Sequence, residues 1–351
     1  MSRIERLASR LERALLVTKS ANIRYLTGLE SSNAAALVEP SGATALYTDF
    51  RYAEAARAVP DVTFVETGRY VLRALSGLLT GREIGVEAEH LSYAGFETLR
   101  AGGVHVEPTT GVVEALRAVK DEGEIAAMRR ATALSDEVFG DLSQERFVGR
   151  TEADLAWWID RRFRELGASA SSFDTMVAFG EMAARPHGHP RDDVAIPAGT
   201  AVIVDAGCVV DGYCSDCTRT FVTEGRADDH SRRIADVYEL CAQAQRDGLA
   251  AVRPGAHGRD VDAASRVAIE AAGLGDAYGH GLGHGVGLEI HEGPVLRPES
   301  EDTLVPGNTV TVEPGIYLAG DFGIRIEDLV LVTAEGCEPL TTFTKEPLIV
   351  A

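Results

Sequence analysis

Two stretches decide the fold: Pro197-Ala-Gly-Thr-Ala-Val-Ile-Val-Asp205-Ala-Gly207 and Pro306-Gly-Asn-Thr-Val-Thr-Val-Glu313-Pro-Gly315. Each runs from a turn into a short apolar strand that ends on an acid, with a glycine soon after. The two align as copies of one unit, give or take one residue before the strand. In both copies a helix ending in Leu-Gly lies upstream, Leu166-Gly167 and Leu274-Gly275, and a second carboxylate lies a short hairpin downstream, Asp216 and Glu327. A duplicated unit with two acids per copy places four acids around a pseudo-two-fold axis. That is how a fold builds a two-ion site.

Within the first copy, residues 202–209 and 213–222 read as strands around Asp211-Gly212, a strong hairpin-turn signal. With those two residues as the loop, Val210 faces Tyr213 and Gly207 faces Asp216. Asp205 then shares a face with Asp216 as a diagonal neighbour, ~7–8 Å away. A one-residue bulge would reverse that facing. The same parity sends Cys214 and Cys217 to opposite faces, and no second pair completes a tetrahedral site, so this C-x-x-C reads as strand or core cysteines. In the second copy Glu313 ends a strand, and Arg325 and Glu327 share a face of another, expected over 323–332. An arginine beside a carboxylate cluster orients ligands or substrate through bidentate bonds.

Between the copies runs Gly279-His280-Gly-Leu-Gly-His284-Gly-Val-Gly-Leu-Glu-Ile-His291-Glu292. Histidines embedded in glycine suit close backbone approach to a site. Five glycines from 279 to 287 argue against a helical metal pair at His280 and His284. One histidine is expected to ligate and the others to meet substrate. Pro186-His187-Gly-His189-Pro190 adds two histidines in a turn, while His189 and Glu292 read as structural or supporting. A lone acid at a strand end is ordinarily a solvated surface charge. Asp205 and Glu313 instead end strongly apolar strands, where an unpaired charge is expensive. In duplicate, beside glycine-bound histidines, they read as functional. Two divalent cations would neutralise four such acids. Hard oxygen ligands with one imidazole suit manganese, iron, cobalt or zinc better than copper or an iron–sulfur cluster.

The remaining chain sets the frame. Its 351 residues suffice for two domains of ~100–200 residues each. A net charge of −20 repels phosphate backbones, so nucleic acid is not an expected partner. Five scattered cysteines read as reduced thiols of a cytosol. Residues 1–17 carry Arg and Glu at helical spacing without a signal-type apolar stretch, and no apolar run approaches the ~20 residues of a membrane span. A cytoplasmic protein away from membranes is expected. Strands are predicted at Ala34–Val38, Thr44–Thr48, Thr63–Glu66 and Glu83–Glu87, with helices over 52–59 and 72–79, which makes a small α/β domain. Helices follow over 122–143 and 152–166, the second capped by Thr151 and stopped by Gly167, with Trp157-Trp158 read as core packing. The boundary falls near residue 120. The expected architecture is α/β (α+β), with domains 1–119 and 120–351.

These residues resemble the pita-bread metallopeptidase family of methionine aminopeptidase, aminopeptidase P, prolidase and creatinase, over nearly the whole chain. Asn22-Ile-Arg-Tyr-Leu-Thr-Gly28 and Leu46-Tyr-Thr-Asp-Phe-Arg-Tyr52 look like the creatinase/prolidase-type N-terminal domain, which methionine aminopeptidases lack. The resemblance implies five metal ligands: Asp205, Asp216, His284, Glu313 and Glu327. Creatinase lacks that full set, so the chain resembles the peptidases. The resemblance further implies His187 and His291 as catalytic histidines, His280 at the pocket for the leaving proline, and Arg325 in support of the metal network. Glu313 would shuttle the proton of a metal-bridging water that attacks the scissile carbonyl. Val177-Ala-Phe-Gly-Glu-Met-Ala-Ala-Arg-Pro-His187 departs slightly from the family spacing before that histidine. The implied activity is an Xaa-Pro dipeptidase, holding two divalent ions per subunit (manganese first, cobalt or zinc next) and acting on small peptides as a homodimer. The alternatives are an aminopeptidase P acting on longer peptides, a non-catalytic binding protein on the same fold, and a creatinase-like amidinohydrolase.

Overall fold

Ala14-Leu-Leu-Val17 is an apolar run without alternation, and all four side chains are buried. Such a run belongs to a strand covered on both faces. In the computed structural model, which describes residues 1–225 and 227–351, it is an interior strand of a six-stranded sheet. The helical spacing expected through residue 17 is therefore confined to Arg3–Ala8, a helix closed by a capping box between Ser2 and Glu5. The sheet order is Thr63–Glu66, Thr44–Thr48, Ala34–Val38, Ala14–Val17, Glu83–Glu87, His105–Thr109. Four of these strands have the bounds read from the sequence. The helices expected over 52–59 and 72–79 are Ala53–Arg57 and Val71–Leu78. Leu75 and Leu99 pack in one core with Leu16, Ile84 and Val86. These elements form a unit spanning Met1–Arg117; Ala118–Ala351 forms a second.

In the second unit a helix pair followed by a group of strands occurs twice. The first copy has helices Glu122–Leu142 and Glu152–Glu165 before strands Met176–Phe179, Ala201–Ala206, Cys208–Val210, Tyr213–Cys214 and Cys217–Thr223. The second has helices Asp229–Ala251 and Gly258–Ala271. Its strands are Gly283–Gly285, Glu292–Leu296, Thr309–Val312, Gly315–Tyr317, Gly323–Arg325 and Asp328–Val332. Local chemistry sets the helix ends. Asp121 and Glu124 form a capping box, and Thr151 accepts from the Asp154 amide at 3.1 Å. Leu166 closes its helix and Gly167 turns left-handed at φ 99°. The second copy departs from the expected Leu274-Gly275 ending. Gly273, the first glycine past Ala271, takes the left-handed position at φ 75°, so the helix stops before Leu274. The tryptophan pair also divides: Trp158 packs against the core, whereas Trp157 is 61% exposed beneath the Arg161 guanidinium. Leu155, Ile159 and Phe163 set the buried face of this helix, and Trp157, two residues past Leu155, points roughly 200° around from it.

The hairpin register is the one a two-residue loop dictates. Val210 pairs with Tyr213 and Val209 with Cys214; further along, Ala206 pairs with Cys217 and Asp205 with Thr218. Cys214 and Cys217 accordingly sit in two different cores. What the sequence reads as long strands are interrupted, at Gly207, at Ser215-Asp216 and at Ile326-Glu327. A Cβ on Gly207 would lie 2.0 Å from the Ser215 carbonyl oxygen, so the strands cross there more closely than a side chain permits. The acids sit at breaks in strands or at strand ends. Asp216 and Glu327 each lie between two strands, Glu313 lies just past Thr309–Val312, and Asp205 is the next-to-last residue of its strand. No helix among the described residues is long and apolar enough to cross a membrane.

Gly207→Ala is expected to lower the unfolding free energy by about 2 kcal/mol or more, because backbone, not a flexible side chain, must give way. The readout is a lower denaturant midpoint at unchanged m-value.

Candidate active site

Thr309-Val-Thr-Val-Glu313 alternates polar and apolar residues, so Thr311 and Glu313 share a face. The Thr311 hydroxyl donates to Glu313 Oε1 at 3.0 Å and accepts from the His284 amide at 3.0 Å. The alternation in Cys217-Thr-Arg-Thr-Phe places Thr218 in the matching role. It donates to Glu327 Oε2 at 2.8 Å and accepts from Arg325 Nε at 3.1 Å. Neither threonine is among the candidates named from the sequence; period-two alternation is the signal that marks both.

The histidine is aimed by its own backbone. His284 Nδ1 lies 3.0 Å from the Gly285 carbonyl, which can only accept, so Nδ1 carries the hydrogen and Nε2 turns inward. Nε2 is 3.3 Å from Glu313 Oε1 and 3.6 Å from Asp216 Oδ2. Donor atoms of Asp216, His284 and Glu327 all lie within 4.8 Å of one another. Asp205 Oδ2 receives Arg325 Nη2 at 2.6 Å, while the buried Asp205 Oδ1 has no hydrogen-bond partner among the described residues.

Charge in this cluster is unbalanced. Burial raises the Asp205 pKa against the pull of Arg325. Burial, and then the neighbouring acids, push Asp216 and Glu327 well above the usual carboxylate range. Glu313 goes the other way, to about 2. Burial works to raise it, but contact with His284 and the further positive pull of His280 and Arg325 outweigh burial. Burial works to lower His284, but Glu313, the Gly285 carbonyl and Asp205 together raise it. The residues fit divalent cations. The orphaned Asp205 oxygen, the surplus of carboxylates and the inward-facing imidazole form a hard oxygen set with one nitrogen.

A cavity of about 460 Å³ opens above the cluster, and all nine residues named from the sequence line it: the four acids and the His284 imidazole together with His187, His280, His291 and Arg325. Residues 126–334 match metallopeptidase family M24, and residues 3–119 match the creatinase/prolidase N-terminal domain. The chain belongs to metallopeptidase family M24. It is a peptidase with the pita-bread fold. An uncharacterised peptidase of Bacillus subtilis, YqhT, is 35% identical over 341 residues, covering 95% of each chain. The solved Xaa-Pro dipeptidase from Bacillus anthracis has a TM-score of 0.93 at 34% identity, over 99% of each chain. The solved X-Pro aminopeptidase from Thermotoga maritima has a TM-score of 0.88 at 32% identity, over 99% of this chain and 100% of that one.

The wall of this M24 site holds residues that the sequence reading passes over. Tyr317, buried at the end of Gly315–Tyr317, accepts from Arg325 Nη1 at 3.0 Å and meets His280 Nε2 at 2.9 Å. His280 Nδ1 donates to the Gly281 carbonyl at 2.7 Å, so both ring nitrogens are engaged within the protein. His291 packs edge-on to His284 with ring centroids 4.4 Å apart. The loop bearing His187 is fastened at both feet. Arg325 Nη1 reaches the Pro186 carbonyl at 3.2 Å, and buried Glu152 accepts from Arg191 Nε at 2.7 Å and Nη2 at 2.6 Å. Glu292 is buried against Lys120 Nζ at 2.7 Å, which gives it a structural role.

Arg325→Met removes the cation bonded to Asp205 and leaves the cluster more negative. Metal-free protein is expected to lose about 3 kcal/mol of stability in a denaturant titration, the penalty for an uncompensated buried charge.

Proposed function

We propose that this M24 peptidase is an Xaa-Pro dipeptidase that uses two divalent ions held by Asp205, Asp216, His284, Glu313 and Glu327. The observation that carries the reading is a single cavity lined by four acids and one imidazole from both copies, with ligand atoms of Asp216, His284 and Glu327 within 4.8 Å of one another. Divalent ions in such a site acidify water and polarise a carbonyl. The chain's own residues supply the rest. Glu313 is held ionised, so it is free to accept a proton and return it to the leaving amine. His187 and His291 face the cavity, where they can donate to the oxyanion of the tetrahedral intermediate. His280, with no free ring nitrogen, lines the pocket for a leaving proline. The likeness to the Bacillus anthracis dipeptidase supports the dipeptide preference. The likeness to the Thermotoga maritima aminopeptidase keeps longer peptides as the second reading.

The same reading takes manganese as the working metal, with cobalt or zinc as substitutes, and a cytoplasmic homodimer as the working form. It assigns the chemistry to residues 120–351 and leaves 1–119 as a separate domain.

Turnover of Ala-Pro should exceed that of Ala-Pro-Ala, vanish on metal chelation and return with manganese. Faster cleavage of the tripeptide would replace the dipeptidase reading with the aminopeptidase. Glu313→Gln should abolish turnover while bound metal, counted by atomic absorption, stays near the wild-type content. An active, metal-loaded variant would remove Glu313 from the proton-carrying role.

A further inference from the structure

The glycine-rich segment 278–282 forms the His280 side of the cavity, yet with glycine at 279 and 281 it has little means of holding its own shape. Its shape is held from the helix Gly258–Ala271. There Asp262 and Arg266, one helical turn apart, form a bidentate pair: Nε to Oδ2 at 2.6 Å and Nη2 to Oδ1 at 2.9 Å. Neither partner is used up by the other. Asp262 Oδ1 also accepts from the Leu282 amide at 2.9 Å. Arg266 Nη1 donates to the Tyr278 carbonyl at 3.0 Å, and Nη2 donates to the His280 carbonyl. The guanidinium lies 4.2 Å from the centroid of the Tyr278 ring, and that ring meets His280 edge-on at 5.3 Å. Asp262 is 1% exposed.

We propose that the Asp262–Arg266 pair positions the wall of the peptide-binding cavity, setting where His280 stands. It also sets the wall's distance from the acid cluster, because the Leu282 carbonyl accepts the Glu313 amide at 2.9 Å. Arg266 and Asp262 are positioning residues that touch no substrate themselves. The inference rests on the cavity being the peptide site. The geometry requires arginine in particular: a planar fork can grip a carboxylate at two points while its remaining hydrogens reach two carbonyls. Lysine keeps the charge and lacks the fork.

The test compares wild type, Arg266→Ala and Arg266→Lys in kcat, KM, bound metal and melting temperature, using whichever dipeptide the wild type cleaves best. Both variants are expected to raise KM ~10-fold, in the range seen when outer support of a site is removed, with metal content unchanged. Lysine should recover most of the melting temperature lost in alanine without recovering KM. Recovery of KM by lysine, or an unchanged KM in both variants, overturns the proposal. Should the alanine variant fail to fold, the lysine variant decides alone. A wild type that cleaves dipeptides but ignores those ending in proline sinks the Xaa-Pro reading and leaves this test standing.

Discussion

Four carboxylates gathered in one buried cluster repel one another, and the surrounding structure answers to that repulsion. Two unit charges 4 Å apart interact by about 4 kcal/mol at an effective dielectric constant of 20. Against Asp205, Asp216, Glu313 and Glu327 the protein sets Arg325 and, when it is protonated, His284. That is too little positive charge. The imbalance appears as Asp216 and Glu327 held well above the ordinary carboxylate range while Glu313, touching His284, stays ionised. Cations supply what the side chains do not, and ligands that gain by binding them tie metal affinity to the folded state.

The fold makes such a cluster possible by taking acids from strand breaks and strand ends. Within a continuous ladder, alternate side chains project to fixed faces. At Ser215-Asp216 and Ile326-Glu327 the ladder stops, and a carboxylate from each copy turns to the shared site. Apolar neighbours hold these breaks rigid: Ile324, Ile326 and Phe322 are fully buried in one core, and Val204, Ala206 and Cys217 in another. Each copy then adds a threonine, Thr218 or Thr311, that donates to one acid and accepts from a cation-bearing or histidine-bearing residue. The two threonines stand at different places in the copies, Thr311 opposite Ile203 and Thr218 opposite Leu329 in the alignment, so the device is shared in its chemistry and not inherited from the duplication.

Much of this was legible in the sequence, because two rules are nearly rigid. A two-residue loop at Asp211-Gly212 dictates the register that pairs Asp205 with Thr218, and period-two alternation dictates which residues share a face. Where the reading failed, the deciding partner was distant. The break at Gly207 depends on the Ser215 carbonyl, which no local pattern announces. Tyr317 reads as one more strand residue until Arg325, 8 positions away, and His280, 37 away, bond its hydroxyl. Trp157 departs for a local reason, since it lies on the helix side away from Leu155, Ile159 and Phe163, whose spacing marks the buried face. The buried run Ala14–Val17 lacked alternation altogether, which a strand covered on both faces does not need.

The histidine-bearing loops expose a further regularity. His187 lies on a loop whose far foot is Arg191, gripped by buried Glu152 at the start of the second helix of the first copy. His280 lies on a loop gripped by Asp262 and Arg266 from the second helix of the second copy. The contacts are not superposable, since Glu152 bonds an arginine of the loop whereas Arg266 belongs to the helix. The physical solution is nonetheless shared. A loop rich in glycine or proline packs too few side chains to hold itself, so a buried acid–arginine pair rooted in a helix supplies directional bonds to its backbone. A neutral hydrogen bond would locate one atom; a fork joined to a carboxylate locates a plane, and a plane is what a cavity wall needs.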